Sequence, residues 1–239
     1  MYSKTMIDMK KLIYSIFMLA AMFMTSCSDD KAKDVIPADR GTVTDDDGNV
    51  YQWVTIGDLQ WTTSNAKNGE NVTDLQYWDG WEWVNAFSTS GKEEFMENTY
   101  PVYGNYMTYD DALESAPEGW RLPTDEDWQK LEAILGMKNT DTEGMRGNIG
   151  YTMQQSGTGC ELGLQAGGGF VWEAVYSWKE LNLAEKDEFG YYWTSTPADP
   201  IDENPQAYYR KICSVNSQVG RNHTGTDRLF SVRWVRDAK

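Results

Sequence analysis

The chain has 239 residues, of which 40% are hydrophobic, and it carries 21 basic against 37 acidic side chains for a formal net charge of −16. This apolar content is enough for a sizeable core and excludes wholesale disorder, while the acidic surface repels nucleic acid and anionic lipid head groups, so we expect neither as a ligand. The single histidine, His223, excludes any site that needs two histidine side chains.

The first predicted element is a secretion signal over residues 1–26. Lys10 and Lys11 form a positive segment before an apolar run, residues 12–24, which is shorter than the roughly 20 residues of a transmembrane helix. The stretch MTSC resembles a bacterial lipobox, which predicts cleavage before Cys27 and lipidation of that cysteine. The alternative is an ordinary signal peptide with a coincidental cysteine. Met9 is a second candidate for the translation start, beside Met1.

Residues 27–41 are predicted to be a flexible, lipid-anchored tether, because they are polar and short of core-forming side chains. Ser28, Asp29 and Asp30 resemble the acidic export signal that sends lipoproteins of Bacteroidetes-type bacteria to the outer face of the outer membrane. We therefore expect an outer-membrane lipoprotein at the cell surface, held to the membrane through Cys27. The periplasmic leaflet is the alternative location.

Residues 42–239 are predicted to form one domain that begins with a β-hairpin. The turn falls at residues 47–49, and Val50, Val54 and Ile56 are expected to share one strand face. DLQWTTSNA is predicted to continue as a second strand.

An aromatic segment follows, YWDGWEWVNAF at residues 77–87. Flat rings on an exposed loop stack on sugar faces, and carboxylates between them hydrogen-bond to sugar hydroxyls. The alternative is that the rings cover the domain's own core, and the sequence leaves both interpretations open. If the rings bind a sugar, the candidate ligand-binding residues are Tyr77, Trp78, Trp81, Glu82 and Trp83. Asp79 and Phe87 lie in the same segment.

Two helices are predicted in the middle of the chain. TYDDALES, residues 108–115, is expected to be capped by Thr108, and the helix that begins in PEGWRLPTDEDWQKLEAILG is expected to be capped by Thr124 with Asp127. Gly136 is predicted to end the second helix. Apolar side chains at helical spacing predict a buried stripe on that helix, made of Trp128, Leu131, Ile134 and Leu135.

Beyond residue 137 we expect short strands with glycine-rich corners, at GLQAGGGF, YYWTST, AYYRKICSV and LFSVRWVRD. The loop at residues 199–206 is a weak candidate for calcium binding, through Asp199, Asp202, Glu203 and Asn204. His223 lies in GRNHTGTDR with Asp227 nearby, and we expect it to be an exposed loop histidine without a catalytic role.

The order of these segments resembles the Fibrobacter succinogenes major paralogous domain family. The matching stretches are DGNVYQWVTIGDLQWTTSNAK, VYGNYMTYDDAL, PEGWRLPTDEDWQKLE, LGLQAGGGF, FGYYWTSTPAD with AYYRKI, and FSVRWVRD. The resemblance implies a bacterial lipoprotein with an α+β, C-type-lectin-like fold, in which two helices flank small antiparallel sheets, loops are extensive and the first and last strands lie close together. The GWRLPT helix and SVRWVR also look like those of formylglycine-generating-enzyme relatives, but their catalytic cysteine pattern is not recognisable here.

Two cysteines that are frequent in that family are replaced in this chain by Ala116 and Trp234, as expected if they form a disulfide elsewhere in the family. Apart from the lipidation site, only Cys160 and Cys213 remain. They either pair in the oxidising cell envelope or stay as two buried thiols.

We therefore expect a non-enzymatic outer-membrane lipoprotein that binds a glycan or an adhesion partner through exposed loops, without a cofactor other than the weak calcium candidate. The alternative is a structural or assembly lipoprotein with a protein partner and no sugar site.

Overall fold

Two four-stranded antiparallel sheets form the framework of the protein, whose computed structural model describes residues 31–175 and 178–239. The first sheet has the order β1-β2-β3-β12 and consists of Arg40–Thr44, Val50–Ile56, Leu59–Thr62 and Val235–Asp237. The second has the order β6-β11-β10-β9 and consists of Gly144–Arg146, Val219–Gly225, Asn204–Cys213 and Phe189–Ile201. Two separate hairpins complete the strands: β4 (Gln76–Trp78) with β5 (Trp83–Asn85), and β7 (Gly169–Val175) with β8 (Trp178–Ala184).

The helices are short: α1 is Thr89–Glu94, α2 Tyr100–Tyr103, α3 Tyr109–Glu114, α4 Asp125–Ile134 and α5 Gly150–Gln154, with a 3₁₀ turn at Val72–Asp74 and a π-helical turn at Phe95–Thr99. Both predicted helices are confirmed, as α3 and α4. The Thr108 hydroxyl accepts a hydrogen bond from the Asp111 amide, and Thr124 and Asp127 form a complete capping box. The chain is thus a mixed structure of mostly antiparallel sheets and a few short helices.

Helix α4 packs its apolar stripe into the core. Trp128, Leu131 and Leu135 are fully buried, and Ile134 is partly buried against the same cluster. The Trp128 ring meets Trp61 of β3 edge to face, with ring centroids 4.8 Å apart. The predicted stripe is therefore confirmed, and it joins α4 to the first sheet.

The predicted face of β2 is correct only in part. Val54 and Ile56 are buried, whereas Val50 is 65% exposed. Tyr51 and Trp53 of the opposite face are also buried, so core material covers this strand on both sides. Val50 pairs with Thr44 at the turn end of the hairpin, and both side chains are exposed.

The C-terminal segment is not the continuous strand that its alternating pattern predicts. Only Val235–Asp237 is a strand, and it pairs with β3, so the first and last strands belong to one sheet, of which they form the two opposite edges. Residues 229–234 instead make backbone hydrogen bonds to several elements in turn, among them Phe170 and Met107. The segment is buried throughout and connects both sheets to the β7–β8 hairpin.

A buried ion network joins α4 to the second sheet. Glu132 accepts hydrogen bonds from Arg210 and Arg146, each 2.6 Å long, and Asp125 accepts from Arg210 and Arg221 at 2.6 and 2.8 Å. Glu132 and Arg210 are fully buried. Charges in such a position persist only when paired, so α4 is fixed against the sheet with one orientation.

The signal peptide, the candidate starts Met1 and Met9 and the lipidation site Cys27 lie outside the described residues. The described part of the predicted tether is packed on the domain from Lys33, whose amide donates to the Leu135 carbonyl, and Ala38 likewise bonds to Thr55. Gly136 has φ +107°, and a Cβ there would collide with the Lys31 carbonyl oxygen. Among the described residues, no helix is long and apolar enough to cross a membrane.

Candidate functional site

The predicted aromatic segment folds as a β-hairpin with a tight, hydrogen-bonded turn. We call residues 76–85, which comprise β4, the turn and β5, the tryptophan hairpin. Asp79 Oδ1 accepts hydrogen bonds from the amides of Trp81 and Glu82, at 2.8 and 2.9 Å, and Gly80 adopts φ +106°. These amides, that of Glu82 first, lower the pKa of Asp79. Asp79 therefore holds the turn that presents Trp81.

The three tryptophans of this hairpin are displayed to solvent. Their exposed fractions are 54% for Trp78, 89% for Trp81 and 64% for Trp83. Trp78 and Trp83 are directly opposite each other, with their rings edge to face and centroids 5.9 Å apart. Glu82 is exposed beside them. Of the two interpretations that the sequence leaves open, the structure places these three rings on the surface.

The other aromatic residues of the segment anchor the hairpin. The Tyr77 ring lies edge to face against Trp172 of β7 at 5.8 Å, and Phe87 contacts Phe95 and Phe170 at 6.0 and 5.4 Å. Tyr77 and Phe87 are only partly exposed. The segment thus divides into anchoring rings and displayed rings, and Tyr77 belongs to the first group rather than to an exposed surface.

A cavity of about 440 Å³, here called the first cavity, lies where the chain leaves the tryptophan hairpin. Its wall combines apolar side chains, those of Phe87, Phe95, Phe170, Leu181 and Leu183, with the charged Glu94 and Lys186 and the amide of Asn182. Ligand pockets of this size commonly combine apolar side chains with polar groups that orient the ligand. Sequence reasoning missed the residues contributed by β7 and β8, because their approach to the hairpin depends on long-range packing.

The calcium candidates form a turn instead of an open loop. Asp199 lies in β9 and Asn204 begins β10, while Asp202 and Glu203 occupy a two-residue hairpin turn with φ +48° and +67°. These angles are those of a type I′ turn, which explains the Asp/Asn-rich composition. Across residues 31–175 and 178–239, no group of three or more His, Cys, Asp or Glu side chains could hold a metal ion. The calcium prediction is therefore not supported.

The cysteines and the histidine have structural positions. Cys160 and Cys213 are free, buried thiols, so the disulfide alternative is wrong in this structure. The Cys160 thiol donates to the Thr152 carbonyl, and burial raises its pKa to about 11. His223 is on strand β11, not in an exposed loop, and its ring meets Tyr208 edge to face at 5.8 Å. None of these three side chains has the arrangement of a nucleophile with its base.

Comparison with known proteins gives one match. The family model described as Fibrobacter succinogenes major domain matches residues 54–236, which include the whole second framework sheet, the tryptophan hairpin and part of the first sheet, without β1. No curated protein and no solved structure matches the chain.

Proposed function

This chain belongs to the Fibrobacter succinogenes major domain family, and we propose that it is a non-enzymatic lipoprotein that binds a glycan through the tryptophan hairpin and the adjoining first cavity. The observation that carries this proposal is the exposure of Trp78, Trp81 and Trp83 on a hairpin held in place by other rings. Contiguous exposed apolar patches of this kind mark binding sites on soluble domains.

The chemistry of the patch favours a sugar. Indole faces offer flat apolar surfaces for the C–H faces of a pyranose, and the carboxylates of Asp79 and Glu82 accept hydrogen bonds from its hydroxyls. The anchoring contact of Tyr77 with Trp172 holds the hairpin in one position, which lowers the entropy lost when a ligand binds. The first cavity would receive a side branch or a neighbouring residue of the same glycan.

A glycan array tests this proposal, with the soluble chain of residues 28–239 and its Trp81→Ala variant. The matched control is Tyr151→Ala, which removes an exposed aromatic ring from α5, away from the hairpin. We expect a specific signal that Trp81→Ala reduces by about fivefold or more, since stacking on one ring contributes about 1–3 kcal/mol, and that Tyr151→Ala retains. Calcium chelation should leave the signal unchanged.

Two outcomes contradict the proposal. A blank array with folded protein would favour the alternative function, a structural or assembly lipoprotein whose tryptophans contact a protein. A signal that both variants retain would place the glycan elsewhere on the surface.

We also propose that the protein is anchored to the outer membrane through lipid on Cys27 and faces the cell exterior. The lipobox-like MTSC and the acidic residues after it support this location. The fold is proposed to be a C-type-lectin-like variant, supported by the sheet that contains both the first and the last strand and by helices α3 and α4.

A further inference from the structure

A second cavity, of about 290 Å³, lies on the opposite face of the β7–β8 hairpin. Side chains alternate between the two faces of a strand. Phe170 and Leu183 accordingly line the first cavity, and Val171 and Ala184 line the second. The two cavities are therefore separated by this hairpin, and a ligand in one does not contact the side chains that line the other face.

The wall of the second cavity opposite β7 and β8 is aromatic. Tyr191 of β9 stacks on Phe230 with centroids 4.9 Å apart and an interplanar angle of 19°, and Tyr209 of β10 lies 5.1 Å from Phe230. Within the described residues, neither tyrosine hydroxyl has a hydrogen-bond partner. Burial raises the pKa of Tyr209, so its hydroxyl remains a donor at neutral pH. The wall thus offers a flat ring surface and two unused hydroxyls.

Arg228, which also lines this cavity, differs from the other seven arginines of the chain in how little it is held by protein groups. Its Nε donates to the Thr224 hydroxyl at 2.9 Å, and within the described residues no carboxylate lies within ion-pair distance. Five other arginines pair with carboxylates, Arg233 donates to four protein oxygens, and Arg236 bonds to Gln60 and lies over two tryptophan rings.

Glu185 also lines this cavity and Asp227 precedes Arg228 in the chain, but within the described residues neither carboxylate forms an ion pair with Arg228. Lys211, the other cation near Tyr209, pairs with Glu185 at 3.2 Å and lies 3.6 Å from the centroid of the Phe189 ring. The two terminal nitrogens of Arg228 donate no hydrogen bond within the described residues, so they are free to bind an anion. A guanidinium binds a carboxylate through two parallel hydrogen bonds.

We propose that the second cavity binds a sugar that carries a carboxylate. Arg228 holds the carboxylate through its terminal nitrogens, the Tyr191 and Tyr209 rings contact the sugar face, and their hydroxyls hydrogen-bond to the ring hydroxyls. A neutral sugar lacks the partner for Arg228, and a simple carboxylate lacks the surface for the tyrosines. This site is independent of the tryptophan hairpin.

The test is a chemical-shift titration of the ¹⁵N-labelled soluble chain with D-glucuronate, D-glucose and acetate. We expect glucuronate to bind at least about tenfold more tightly than either of the other two, and more weakly at high ionic strength, as a charge-assisted pair requires. Arg228→Gln should weaken glucuronate binding by about tenfold or more, with resonances elsewhere unchanged because Arg228 makes one protein hydrogen bond. Arg228→Lys should retain part of the affinity.

Control variants separate this site from the rest of the surface. Arg40→Gln removes an arginine on the first sheet, and Trp81→Ala removes the most exposed ring of the tryptophan hairpin; both should bind glucuronate as the parent does. Equal affinity of Arg228→Gln and the parent, equal affinity for glucose or for acetate, or no shifts at saturating glucuronate would each overturn the proposal. The titration does not depend on the glycan array, since Trp81 and Arg228 act in different sites.

Discussion

Removal of charges from the buried network on α4 should have unequal effects, depending on which charge is removed. The network holds two carboxylates, Asp125 and Glu132, and three guanidiniums, those of Arg146, Arg210 and Arg221. Glu132→Gln leaves Asp125 as the one carboxylate for three guanidiniums, and the NH₂ group of the new glutamine faces an N–H donor of Arg146 or Arg210. Arg210→Met instead leaves two separate pairs, Arg146 with Glu132 and Arg221 with Asp125. The first change leaves an unpaired buried charge, and the second leaves none.

The magnitudes follow from these partners. Unpairing a buried charge costs about 3–5 kcal/mol, so we expect Glu132→Gln to lower the free energy of unfolding by about 4 kcal/mol. In Arg210→Met, both carboxylate oxygens of Asp125 keep a donor on Arg221, at 3.0 Å for Oδ1 and 2.8 Å for Oδ2, so Glu132 Oε1 is the one carboxylate oxygen that loses its donor. One unsatisfied buried acceptor costs about 1–3 kcal/mol, so we expect about 2 kcal/mol.

Urea unfolding followed by tryptophan fluorescence measures both values, provided that the denaturant slopes of the variants agree. The matched control is Glu126→Gln on the same helix, which removes an exposed pair with Lys130 and should change the free energy by less than about 0.5 kcal/mol. If Arg210→Met proves as destabilising as Glu132→Gln, the charge balance of the network does not govern its stability and the reasoning is wrong.

Three further predictions concern pH, thiol reactivity and the membrane anchor. Burial raises the pKa of Asp125, but the hydrogen bonds and charges of Arg221 and Arg210 outweigh this effect, and the pKa of Asp125 is lowered. The ionised Asp125 therefore stabilises the folded state fully above the unfolded pKa of about 3.9, and this contribution is lost as pH falls through the folded pKa. Urea midpoints of Asp125→Asn should accordingly fall less steeply below about pH 4 than those of the parent, and parallel curves would contradict this. Cys160 should react with a maleimide at neutral pH only after unfolding, since burial raises its pKa to about 11; rapid labelling of the folded Cys213→Ala variant would refute it. Labelled palmitate should enter the protein in cells and be lost in Cys27→Ser, and retained label would disprove lipidation at that residue.

The elements predicted correctly are those whose causes lie within a few residues. Thr124, Asp127 and Gly136 specify both ends of α4 through bonds and backbone angles inside the helix or next to it. Residues 229–234 have the alternation of a strand, but their partners lie in at least three distant segments, so the pattern predicts burial and not pairing. Val50 is exposed for a similar reason, since coverage of β2 depends on which neighbours reach it.

The candidate sites show the same limit. The aromatic segment could be found from its composition, but whether its rings were displayed depended on Tyr77 meeting Trp172, almost a hundred positions further along the chain. The calcium candidates at residues 199–206 fold as a tight turn, and composition did not separate the two because tight turns and calcium loops favour the same residue types. The sequence does not single out Arg228, because whether an arginine has a carboxylate within ion-pair distance is a property of the folded chain.

The tryptophan hairpin should be removable without loss of the fold, which tests whether its rings serve binding or stability. Its ends are already joined, because the Ala86 amide donates to the Leu75 carbonyl at 2.8 Å, so two glycines can replace residues 76–85. Tyr77 is the one aromatic residue of the hairpin without an exposed side chain, and loss of its burial should lower the free energy of unfolding by about 1–2 kcal/mol. The shortened chain should lose the array signal and still bind glucuronate at Arg228. If it unfolds, or loses more than about 4 kcal/mol, the displayed tryptophans are part of the structural core of this protein and not a binding surface.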